Sequence, residues 1–92
     1  MKGTVLVVDD EPKICAMLVR ALQADGIDVT SCEDPELALE LLKEKPHDVV
    51  ISDLRMPGID GLELLKRAKM IRPECEVGAL HWLPPGPEVV LR

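Results

Sequence analysis

Asp9, Asp10 and Asp53 each follow a short apolar run, and that placement gives them chemical potential. Val5-Leu6-Val7-Val8 leads into Asp9-Asp10-Glu11-Pro12, and Val49-Val50-Ile51 leads into Ser52-Asp53-Leu54-Arg55-Met56-Pro57-Gly58-Ile59-Asp60-Gly61. Both runs are β-branched and unalternating, the pattern of a strand buried on both faces of a parallel sheet. The carboxyl ends of such strands line one crevice, so the three aspartates are expected to converge there. Crowded carboxylates repel one another, and a hard divalent cation held by oxygen ligands relieves the repulsion. A Mg²⁺-type site is the first expectation.

The elements that must position these groups alternate between strand and helix. Pro12 suits a first helical turn, Ile14, Met17, Leu18, Ala21 and Leu22 repeat on one apolar face, and Gly26 stops the pattern, which predicts a helix over 13–24. Residues 27–30 read as a short strand. Asp34 then caps a helix with Pro35 at its first position and a buried stripe of Leu37, Ala38, Leu41 and Leu42. A third strand over 48–53 precedes the turn signal Pro57-Gly58. Asp60 stands three residues before Glu63, close to a capping box, and Leu62, Leu65, Ala68 and Lys69 or Met70 carry a third helix to Arg72, where Pro73 ends it. Strands alternating with helices imply right-handed crossovers and a doubly wound α/β sheet.

With the acidic turns in this order, the chain resembles the receiver domains of two-component response regulators over about residues 3–77. The Asp-x-x-Met-Pro-Gly-x-Asp-Gly form of residues 53–61 is a specific part of that likeness. The resemblance implies a flavodoxin-like strand order. It also implies Mg²⁺ bound by Asp9, Asp10, Asp53 and the backbone carbonyl of Arg55, and transfer of a phosphoryl group from a histidine kinase to Asp53.

The likeness weakens after residue 77. A receiver continues its fourth strand with large aliphatic residues, ends it with Ser or Thr, and later supplies a Lys. Here Gly78-Ala79-Leu80-His81-Trp82-Leu83 follows, with His81 about where the hydroxyl belongs, and then Pro84-Pro85-Gly86-Pro87. The sequence therefore reads as a truncated receiver over 1–80 with a Pro-rich tail over 81–92. Its sheet is partial, β-α-β-α-β-α-β, without the last helix-strand-helix portion. Gly78 and Ala79 make a poor fourth strand, and the tail carries no amphipathic period. Phosphotransfer is expected to be impaired. Bare apolar surface on both sheet faces predicts a homo-oligomer in which the tail crosses to a neighbour or sheet edges pair.

Composition narrows the partners. With 92 residues, 47% of them hydrophobic and 30% charged, the chain can bury one modest core. A net charge of -6 argues against a nucleic-acid surface, which would carry a basic patch. Cys15, Cys32 and Cys75 are widely spaced and odd in number, which fits reduced packing thiols in a cytoplasm. Nothing reads as a signal peptide or membrane span.

Plainer roles remain for each residue. The Asp9-Asp10-Glu11-Pro12 turn can serve as a helix start with favourable negative charge, Asp53 can cap backbone amides, and Asp60 reads as a cap before a metal ligand. His81 and Trp82 read as a partly buried pair at a strand end. Two other functions stay open. One is a receiver remnant acting as an interaction or self-assembly module. The other is a Mg²⁺-dependent phosphatase with an Asp nucleophile, disfavoured because Arg55 stands where its general acid would be. The receiver reading makes the chain a phosphoacceptor and not an enzyme.

Overall fold

A computed structural model describes the backbone of residues 3–53, 60–83 and 86–91, and side chains for 3–53 and 60–79. Five strands and three helices follow one another as β1 (Thr4–Val8), α1 (Pro12–Ala24), β2 (Asp28–Cys32), α2 (Pro35–Glu44), β3 (Val49–Asp53), α3 (Gly61–Ile71), β4 (Glu76–Leu83) and β5 (Gly86–Leu91). The strands form one sheet in the order β2-β1-β3-β4-β5. The first four are parallel, and β5 runs antiparallel to β4. The expected flavodoxin-like arrangement is therefore present, with an added antiparallel strand at its edge.

Burial on both faces explains the unalternating β1, whose Val5, Leu6, Val7 and Val8 are all buried. Leu6 and Val8 pack with α2 and α3 residues such as Ala38, Leu42, Leu64 and Ala68. Val5 and Val7 pack with Cys15, Ile14, Leu18 and Leu22 of α1. The α1 terminus has a local cause. Gly26 adopts φ 80°, its amide donates to Gln23 O (2.9 Å) and the Ile27 amide to Leu22 O (3.2 Å), which together form a Schellman motif. Asp34 and Asp60 cap their helices as the sequence predicts, accepting from Glu36 N at 3.0 Å and Glu63 N at 2.8 Å.

Several sequence expectations are corrected. In α2 the buried leucines are Leu39 and Leu42, while Leu37 is 53% exposed and Leu41 half-buried. In α3, Leu64 joins Leu65 and Ala68 in the core, while Leu62 and Met70 are exposed. In α1, Met17 and Ala21 lie in the solvent-facing part of the expected stripe. β2 runs over Asp28–Cys32, starting one residue later and ending two residues later than the expected 27–30.

The larger correction concerns the fourth strand. β4 pairs with β3 over five residues, Ile51 opposite Gly78 and Ser52 opposite Ala79. A parallel ladder is made by backbone groups, so small side chains do not prevent it, and Ala79 is buried in the α2/α3 core. β4 crosses residues 80 and 81 without a break, and 86–91 of the tail pair back along it. Pro87 lies in β5, where an edge strand tolerates the missing N–H.

Candidate functional site

The parallel register brings the acidic residues together. Val8 pairs with Ser52, so the next residues, Asp9 and Asp53, leave the same edge of adjacent strands. One carboxylate oxygen from each of Asp9, Asp10 and Asp53 lies within 4.8 Å of the others. Asp9 is buried, Asp53 half-buried and Asp10 exposed, a graded arrangement that opens towards solvent.

Asp9 is the most constrained of the three. Its amide donates to Cys32 O of β2 (3.1 Å), and its Oδ1 accepts from the Glu11 amide (2.9 Å). The plainer role of supporting the α1 start is thus filled too, because one carboxylate oxygen faces the helix entry while the group still belongs to the cluster. Burial pushes the Asp9 carboxyl above its ordinary value; the Glu11 amide opposes this, and the charges of Asp53, Asp10 and Glu11 add to it. Among the described residues, the charges that shift Asp9 are those of carboxylates, and the donors are hard oxygens. That donor set fits a small divalent cation.

Two side chains near the cluster escaped the sequence reading. Cys15 is buried, as expected for a packing residue, but its thiol also donates to Asp9 O at 3.3 Å. Ser52 is fully buried and donates to Asp53 O at 3.0 Å. Polar residues inside apolar runs were the available signal. The Arg55 carbonyl expected as a ligand, the Met56-Pro57-Gly58 turn, and the side chains of His81 and Trp82 lie outside the described residues.

Comparison with known proteins gives this geometry a family. A response regulator receiver domain profile matches residues 5–80. The chain belongs to the response regulator receiver family. The receiver is 47% identical over 76 residues to the DNA-binding transcriptional regulator NtrC of Escherichia coli, a match covering 83% of this chain and 16% of that protein. The chain therefore spans a small part of that relative. Among solved structures, the receiver domain of the hybrid histidine kinase CckA is 39% identical with a TM-score of 0.76, covering 82% of this chain and 71% of the other. A solved complex of histidine kinase ThkA with response regulator protein TrrA matches at 38% identity and a TM-score of 0.77, covering 84% of this chain and 66% of the other. Receiver domains are phosphoacceptors that interact with histidine kinases, and they bind Mg²⁺ at an acidic pocket. Among the described residues of this receiver, no helix is long and apolar enough to cross a membrane.

Proposed function

We propose that Asp53 accepts a phosphoryl group from a histidine kinase, with Mg²⁺ held by Asp9, Asp10, Asp53 and the backbone carbonyl of Arg55. The supporting observation is the meeting of three carboxylates at one edge of a parallel sheet, each contributing an oxygen within 4.8 Å of the rest. Bound Mg²⁺ supplies charge neutralisation for the carboxylates and the phosphoryl oxygens. Asp53 is the nucleophile. Its carboxylate oxygen attacks phosphorus, an O–P bond forms as the donor's N–P bond breaks, and the electron pair returns to the leaving imidazole nitrogen. Asp9, fixed through its backbone and the Glu11 amide, would hold its carboxylate ready for the cation, and exposed Asp10 would supply a second carboxylate to it. The chain acts as an acceptor and not as a turnover enzyme, in a cytoplasm that keeps its three buried cysteines as thiols.

Cation binding is tested by thermal unfolding. At about a hundredfold excess over Kd, Mg²⁺ stabilises the protein by about 2.7 kcal/mol. That raises the midpoint by on the order of 10 °C for a domain of this size. Asp10→Ala abolishes the shift. A shift of the same size in the variant would place the ion elsewhere.

One observation favours self-assembly beside this role. α1 packs mainly on β1 and β2, while the backbone of β4 and β5 extends the sheet beyond that footprint. We take residues 1–80 as the receiver portion and 81–92 as an addition to its sheet edge that joins a homodimer or higher oligomer. Sedimentation equilibrium giving the mass of a single chain at tens of micromolar contradicts this. His81 in place of a hydroxyl residue leaves phosphorylation weakly coupled to any conformational change, since a switch needs contacts that differ between two states.

A further inference from the structure

The turn that carries Asp9 and Asp10 has a weak start of its own. Glu11 is the N-cap of α1 and its side chain makes no capping hydrogen bond. The turn is pressed by like charge, because Asp10, Glu11 and Asp53 all act on the buried Asp9. A turn under such repulsion relaxes outward unless its backbone is tied.

We propose that Cys15 is a positioning residue for the cation site, its thiol latching the Asp9 carbonyl so that the acidic turn is held ready before the ion arrives. This rests on the reading of Asp9, Asp10 and Asp53 as Mg²⁺ ligands. Cys15 lies in α1, 4% exposed, with its Sγ donating to Asp9 O at 3.3 Å and its own amide donating to Glu11 O at 3.1 Å. The Asp9 amide is tied to β2 through Cys32 O at 3.1 Å. Asp9 is thereby gripped on both sides of its α-carbon, by β2 through N–H and by α1 through C=O. The position asks for two properties at once. A residue there must pack with Val5, Val7 and Ile51, and it must donate a hydrogen bond to a buried carbonyl. A thiol meets both demands, being a small apolar group with a weak donor.

Pre-organisation shows in affinity more than in fold. Without the latch the metal-free turn opens to relieve its charges, and binding must close it again before the ligand oxygens converge. Two variants separate the latch from simple packing. Cys15→Val keeps apolar bulk and removes the donor, whereas Cys15→Ser keeps a donor and sacrifices apolar packing.

Mg²⁺ binding by isothermal titration calorimetry and metal-free thermal midpoints are measured for the full chain and both variants. The latch predicts that Cys15→Val weakens Mg²⁺ binding roughly three- to tenfold, the range expected for one lost hydrogen bond, with a midpoint near that of the parent. Cys15→Ser retains the affinity although its midpoint falls. The reverse ranking, or equal affinities in all three proteins, overturns the proposal. Absence of saturable Mg²⁺ binding in the parent would sink the metal reading instead. The latch is then decided by amide hydrogen exchange at Glu11 in the metal-free proteins. Faster exchange in Cys15→Val than in Cys15→Ser supports it, and equal exchange refutes it.

Discussion

Leu6 and Val8 of β1 turn towards α2 and α3, Val5 and Val7 of the same strand turn towards α1, and the two sides meet different amounts of protein. Beneath α2 and α3, Leu6, Ala38, Leu42, Val50, Leu64 and Ala68 are wholly buried in one continuous cluster. Beneath α1, Ile14, Leu18 and Leu22 remain half-buried around a smaller set of Val5, Val7, Cys15 and Ile51. Among the described residues, the first side holds more of the wholly buried apolar side chains and so contributes more to stability. The acidic turn opens α1, on the lightly packed side. The site thus hangs from the softer half of the molecule, where local hydrogen bonds such as those around Asp9 matter more than bulk packing.

The comparison breaks first under core truncation. Leu64→Ala costs about 2–5 kcal/mol, because it removes a wholly buried side chain and leaves a cavity between α3 and the sheet. Leu18→Ala costs about 1 kcal/mol, since part of its surface already faces water. Urea unfolding of both variants checks the difference. Equal losses would mean that the faces are energetically alike.

A smaller effect sharpens the contrast through pH. His47, buried before β3, donates from Nδ1 to Lys45 O at 3.1 Å, and burial holds its imidazole below the ordinary 6.5. The unfolded chain takes up that proton first. The contribution of His47 is therefore present above pH 6.5 and is lost as pH falls towards the lowered folded value. Asp9 has the opposite sign. Its contribution is present below the ordinary 3.8 and is lost as pH rises through its raised folded value. Unfolding free energy measured against pH loses its rise near neutrality in His47→Gln and keeps the acid-side behaviour. A profile unchanged by the substitution would contradict the His47 assignment.

Much of this was legible because single residues dictate backbone geometry. Pro12, Gly26, Asp34 and Asp60 mark helix ends by fixed φ, positive φ or a capping oxygen, and each does so in the structure. Asp9 and Asp53 were legible as a pair because parallel strands end together. The helix faces were less so. In Leu37-Ala38-Leu39-Glu40-Leu41-Leu42 nearly every position is apolar, so a 3.6 period fits more than one stripe, and contact with the sheet selects Leu39 over Leu37. β4 is expected from the sequence only as a poor strand, because Gly78 and Ala79 score weakly as strand residues, whereas its ladder bonds are made by the backbone. The pairing of β5 depends on a partner strand and not on any period within the Pro-rich tail. The Cys15 thiol bond to Asp9 O joins residues whose closeness exists only after α1 forms.

The central claim is that Asp9, Asp10 and Asp53 act as one cation-dependent phosphoacceptor site. Intact-mass and peptide mass spectrometry after treatment with a small phosphodonor, with and without Mg²⁺, tests it directly. The account predicts a phosphoryl adduct on Asp53 in the presence of Mg²⁺, strongly reduced in Asp10→Ala and absent in Asp53→Asn. An adduct that persists in Asp53→Asn, or one that forms equally well without the cation, would contradict it.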